Sequence, residues 1–92
     1  MDGDIWFGGG EAMAARAVEQ LGDGVIATVR TARALAAARR PVDLAGLDNM
    51  IGIYCAKTLD LPLPEGRRLR ARLEDLAAEI GLLEQDLAAH PA

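Results

Sequence analysis

A long apolar stripe in the last third of the chain is the feature that most constrains the fold. Apolar residues recur there at alternating steps of four and three. They are Leu69, Leu73, Leu76, Ile80, Leu83 and Leu87. This spacing places all of them on one face of an α-helix. Such a face must be covered by the rest of the chain or by another protein, so the sequence predicts a helical domain organised around this stripe.

The residue composition favours an all-helical fold. Hydrophobic residues make up 51% of the 92-residue chain, but aromatic residues make up only 3%. The core must therefore consist of aliphatic side chains and alanine, which suit closely packed helices. The sequence shows no alternation of β-branched and aromatic residues of the kind that predicts strands. The length fits one domain with a core of modest size, and we place that domain in residues 11–90.

The first predicted helix is long and crosses two glycines. It runs from about Glu11 to Arg39, and Pro41 then prevents its continuation. Gly22 and Gly24 each cost about 1 kcal/mol relative to alanine in a helix interior. Two helices that meet near Gly22 are the alternative, but the apolar spacing continues through this stretch without a slip. We therefore predict one continuous helix.

Two further helices complete a predicted antiparallel, up-down-up bundle. The second helix follows an N-cap at Asp43 and ends near Leu59. The third has Pro64 in its first turn and ends near Ala89. Short connections favour antiparallel neighbours. Because the middle helix is shorter than the other two, we expect some of their apolar surface, toward the ends, to be left for another molecule.

Residues 1–10 are predicted to form a short irregular N-terminal arm, because three successive glycines disfavour a helix. Ile5, Trp6 and Phe7 form an apolar cluster within this arm. One interpretation is that the cluster folds back over an end of the bundle. Another is that it inserts into a partner, since tryptophan is enriched at the energetic centres of interfaces. A disordered start of the chain is the third.

The sequence offers few residues for catalysis or metal binding. Cys55 is the only thiol and His90 the only imidazole. We interpret Cys55 as a small buried hydrophobic residue and His90 as a solvated residue near the C-terminus. The carboxylates of the third helix lie mostly off its apolar face. The sequence therefore predicts no catalytic residue, no metal site and no cofactor, and we do not expect an enzyme.

Charge and cysteine content limit the cellular setting. The net charge of −4 argues against non-specific nucleic-acid binding, which depends on neutralising phosphates. A lone cysteine cannot form an intramolecular disulfide, which fits a reducing compartment. The sequence shows neither a signal peptide nor an apolar run long enough to span a membrane. We therefore expect a cytoplasmic protein with no membrane contact.

Four arginines crowd the start of the third helix, in an order that the helix dipole disfavours. They are Arg67, Arg68, Arg70 and Arg72, and acidic residues follow them. The cluster could meet acidic residues of the same chain, such as Asp60, or an acidic partner. Arginine suits bidentate binding of carboxylate or phosphate. A third explanation is a GC-rich genome, which raises arginine and alanine usage throughout.

These features favour a non-catalytic helical module that binds another protein, as an adaptor, chaperone or regulatory subunit, and that self-associates as a homodimer. The predicted partner-binding residues are Trp6, Phe7, Arg67, Arg68, Arg70, Arg72, Leu83 and Leu87. The first alternative is a small structural subunit of a larger enzyme or of a secretion or motility complex. The second is a module that contacts nucleic acid or an acidic regulator through its arginines.

Overall fold

Three α-helices build the protein, which confirms the predicted three-helix bundle. The computed structural model describes the backbone of residues 2–90 and the side chains of residues 13–62 and 64–90. The helices are α1 (Asp2–Ala37), α2 (Leu44–Leu59) and α3 (Leu63–Ala89). Residues 2–90 contain no strand. With 36, 16 and 27 residues, the helices have the predicted order of lengths, a short one between two long ones.

The helices run up, down and up, so that α1 and α3 are parallel. Contacting residues of α1 and α3 keep a separation of 49 positions, as in the pairs Glu19–Arg68 and Arg30–Glu79. A constant separation along two helices means that they run in the same direction and in register. The contact between α1 and α3 is the most extensive of the three, and the contact between α2 and α3 is the least extensive.

α1 extends further toward the N-terminus than the sequence predicts, because it begins at Asp2 and not near Glu11. Glycine weakens a helix by about 1 kcal/mol per residue but adopts helical angles freely, so three glycines do not by themselves end one. Subtracting the separation of 49 places Leu63, the first residue of α3, level with residue 14. Residues 2–13 thus reach about 18 Å beyond the start of α3, as a helical rather than an irregular extension.

The helix ends follow the local sequence signals. α1 ends at Ala37, and Arg39 adopts the left-handed conformation (φ 59°) that often terminates helices. Asp43 caps α2 as predicted, since its carboxylate accepts a hydrogen bond of 2.9 Å from the backbone N–H of Gly46. Pro64 lies in the first turn of α3, where its missing N–H needs no partner.

The apolar stripe of α3 is covered unequally by the other helices. Its buried members are Leu69, Leu76 and Leu83. Its partly buried members are Leu73, Ile80 and Leu87. These three residues lie on the side of the stripe next to α2, which contacts α3 less extensively than α1 does. Uncovered apolar surface toward the helix ends stays a prediction.

Gly22 of α1 allows Tyr54 of α2 to pack directly against the helix backbone. The tyrosine ring is completely buried. A Cβ atom at Gly22 would lie 2.5 Å from the hydroxyl oxygen and 2.6 Å from Cζ of this ring, closer than carbon atoms approach. The glycine that weakens α1 locally is therefore needed for packing, and α1 continues through it as predicted.

We expect Gly22→Ala to destabilise the protein by about 1–2 kcal/mol. Alanine improves helix propensity by about 1 kcal/mol, but overlap with the buried ring of Tyr54 outweighs this gain. Denaturant unfolding would measure the change. Gly24→Ala is the matched control, because a Cβ atom there meets nothing within 4 Å and the variant should gain stability. An equal gain in both variants would contradict the close packing of Tyr54 on α1.

Candidate functional site

Half of the predicted arginine cluster is engaged within the chain. Arg68 and Arg72 face α1, where Arg68 pairs with Glu19 at 3.4 Å and Arg72 pairs with Asp23. Arg72 also approaches Glu19, at 3.9 Å. Asp60, which the sequence suggested as an internal partner, pairs with neither arginine in the described part of the chain. The acidic residues that meet the cluster belong to α1.

The charges of α1 and α3 are complementary along the whole contact. In its second half, Arg30 and Arg33 of α1 face Glu79 and Asp86 of α3 at 2.9–3.2 Å. From N-terminus to C-terminus, the paired residues of α1 therefore change from acidic to basic, and those of α3 change from basic to acidic. Exposed ion pairs add little stability, but an antiparallel arrangement would bring like charges together. The order of charges on α3 that the helix dipole disfavours therefore matches the parallel register of α1 and α3.

The ion pairs make stability depend on pH. Hydrogen bonds from Arg33, and then from Arg30, lower the pKa of Glu79 below its ordinary value of 4.5. A carboxyl group whose pKa is lower in the folded state stabilises the fold above its unfolded-state pKa, and this contribution is lost as pH falls through the lowered value. We expect the melting temperature to fall as the pH drops below about 4.5.

Glu79→Gln should reduce this acid dependence of the melting temperature. Glu74→Gln is the control, because Glu74 is exposed on the same helix and makes no ion pair within the described residues. Equal pH profiles for the two variants would show that the pairing of Glu79 with α1 does not persist in solution.

α2 is apolar on most of its surface, yet much of that surface is uncovered. Its buried residues are Leu47, Tyr54 and Thr58. By contrast, Leu44 is 50% exposed and Leu59 is 78% exposed. A helix that is apolar on all sides is normally enclosed by other protein or by lipid. The described part of the chain therefore leaves α2 with an apolar surface that it does not cover.

The seam between α2 and α3, which we call the α2–α3 groove, holds two separate pockets, one in each half. The pocket in one half has a volume of about 490 Å³. Its apolar lining is Leu44, Leu47, Ile51, Ile80, Leu83 and Leu87. The pocket in the other half has a volume of about 280 Å³ and lies between the end of α2 and the start of α3. Its apolar lining includes Leu59, Leu61 and Leu73.

The two halves of the groove carry opposite charges. Asp48 and Glu84 line the larger half, and Arg67 and Arg70 line the smaller half. All four side chains are exposed, and none of them forms an ion pair within the described residues. The groove therefore has an acidic end and a basic end, and each end has an apolar pocket.

The predicted partner-binding residues outside the arginine cluster occupy different positions. Leu83 belongs to the core and forms part of the groove floor, whereas Leu87 is half-buried in the groove wall. Trp6 and Phe7 lie in the helical extension of α1, and their side chains are outside the described residues. Leu83 and Leu87 thus lie in one half of the α2–α3 groove, and two of the four arginines lie in the other.

Sequence reasoning missed the acidic end of the groove and the exposed face of α2. A signal was present, because between Leu44 and Leu59 only Asp48 and Lys57 are charged. A helix with so few charges needs more cover than a three-helix bundle of this size provides.

The described residues offer little for thiol chemistry, metal binding or membrane insertion. Cys55 is half-buried on α2, less enclosed than the predicted core position. Within the described residues, no group of three His, Cys, Asp or Glu side chains is arranged to hold a metal ion. None of the described helices has the length and apolarity needed to cross a lipid bilayer.

No protein-family model matches the sequence, and no curated protein or solved structure is significantly similar to it. The α2–α3 groove, with its exposed leucines and charged ends, is therefore the basis for a functional proposal.

Proposed function

We propose that this protein is a non-catalytic helical module that binds another protein through the α2–α3 groove. The proposal depends on one observation, the uncovered apolar surface of α2 around Leu44 and Leu59. Single exposed leucines are common, but two apolar pockets along one helix seam, each bordered by charges, are typical of an interaction site. The charges at its ends would orient the bound partner.

Such a surface suits an adaptor, a chaperone or a regulatory subunit. A cytoplasmic setting agrees with the lone cysteine, which has no partner for a disulfide. Recognition of nucleic acid through the arginine cluster is less favoured, because Arg68 and Arg72 already pair with α1. Only Arg67 and Arg70 of the cluster line the groove.

Site-specific photo-crosslinking tests the proposed function. A photoreactive amino acid would replace Leu44 in the groove of the full-length chain, expressed in the cell that naturally makes it. The control position is Ala34, which is exposed on the outer face of α1. We expect a discrete protein adduct from position 44 and none from position 34.

The mass of the adduct identifies the occupant of the groove. The absence of any adduct at position 44, or equal adducts at both positions, would contradict the proposed function. An adduct of twice the 9.7 kDa chain mass would identify a second copy, and any other mass would identify a different protein.

A further inference from the structure

We infer that the α2–α3 groove binds a second copy of this chain, with the two α3 helices antiparallel across a two-fold axis. This inference rests on the proposed function and names the partner of the same groove. It follows from the opposite charges at the two ends of the groove. A two-fold axis perpendicular to α3 brings the basic end of each copy to the acidic end of the other.

Among the described residues, no cation pairs with the two carboxylates at the acidic end. Asp48 of α2 and Glu84 of α3 line the same half of the groove, and both are negatively charged. On the other side of α3, the acidic residues Glu79 and Asp86 form ion pairs with arginines of the parallel helix α1. α2 provides no such complement among the described residues, because its Asp48 lines the same half of the groove as Glu84. A positive group from a second molecule would be attracted to both carboxylates.

The positions of the charges on α3 set the register of the two copies. Arg70 and Glu84 are two heptads apart and therefore lie on the same side of the helix, with Ala77 midway between them. An axis at Ala77 places Arg70 opposite the second copy's Glu84, and Glu84 opposite the second copy's Arg70. Asp48 lines the same half of the groove as Glu84, so each incoming arginine approaches both carboxylates.

Small residues allow the second α3 to approach closely. Ala77 is exposed at the proposed axis. Gly81 is one turn further along the same face, and a Cβ atom there would meet nothing within 4 Å in the single chain. Helices with small residues at the contact pack with their axes about 8 Å apart. A long side chain at Gly81 would therefore be tolerated by one copy but would obstruct two.

Gly81→Gln and Gly24→Gln form a matched pair for testing this interface. Both replace a helical glycine whose Cβ position is open, but Gly24 lies on α1, away from the groove. Sedimentation equilibrium of the wild-type chain should show a particle of twice the 9.7 kDa chain mass. We expect Gly81→Gln to weaken dimerisation at least about tenfold, because it props the two helices apart. Gly24→Gln should leave dimerisation unchanged.

Charge reversal tests the predicted register directly. E84R alone brings two pairs of positive side chains together in the dimer, and R70E alone brings two pairs of negative ones together. Each single variant should dimerise at least about tenfold more weakly than wild type. An equimolar mixture of the two variants should form a heterodimer, because both cross-copy pairs are then of opposite charge.

Several outcomes would overturn the inference. A wild-type chain that is monomeric at about 0.1 mM, where a dimer of micromolar affinity would be complete, has no such interface. A dimer that is unaffected by Gly81→Gln, or variants that do not recover in the mixture, would place the contact elsewhere. A monomeric chain that still gives an adduct of another mass at position 44 would refute the second copy but preserve the proposed function.

Discussion

Tyr54→Ala is expected to lower the free energy of unfolding by about 3–5 kcal/mol. The ring is completely buried and packs against Gly22, so no neighbouring side chain from that position can fill the space it leaves. A chain of 92 residues has a total stability of about 5–14 kcal/mol, so the loss is a large part of the whole. Urea unfolding followed by circular dichroism would measure it.

Tyr54→Phe separates the contribution of the ring to stability from that of the hydroxyl group. The hydroxyl oxygen is buried and has no hydrogen-bond partner among the described residues. Burial raises the pKa of Tyr54, so the group stays neutral near physiological pH. An unpaired buried hydroxyl costs about 1–3 kcal/mol, so we expect the phenylalanine variant to match or exceed the wild type in stability. A clear loss in Tyr54→Phe would show that the hydroxyl makes a stabilising hydrogen bond.

Leu76→Ala is expected to cost about 2–5 kcal/mol, the range for a leucine removed from a packed core. Leu76 lies at the centre of the apolar stripe of α3 and is only 2% exposed. Leu82→Ala is the control on the same helix, because Leu82 is 39% exposed and lies off the α2–α3 groove. We expect the control to lose no more than about 1 kcal/mol. Similar losses from both variants would mean that α3 presents a different face to the core.

Local sequence signals predicted the helices well because their causes are local. The spacing from Leu69 to Leu87 fixes which face of α3 is apolar, whatever covers it. Asp43 can cap α2 with its own carboxylate, and Pro64 fits a first turn without any tertiary contact. The start of α1 was missed for a related reason. Glycine lowers the local preference for a helix but does not forbid one.

The pairing of distant residues could not be predicted in the same way. The sequence marks Arg68 and Arg72 as unusual at a helix start, but their partners on α1 follow from a register that no local pattern specifies. The same limit applies to the groove. That Asp48 and Glu84 line the same half of the groove depends on how α2 crosses α3, and the charges of either helix alone do not reveal it.

The parallel arrangement of α1 and α3 has a consequence for how the chain folds during its synthesis. The helix that contacts α1 most extensively is α3, and α3 is synthesised after both α1 and α2. A ribosome adds about 5–20 residues per second, so α1 waits several seconds for its main partner. Until then only α2 can cover the apolar face of α1, and the rest of that face is open to chaperones and to other nascent chains. The native packing of α1 is therefore completed only after α3 has been made.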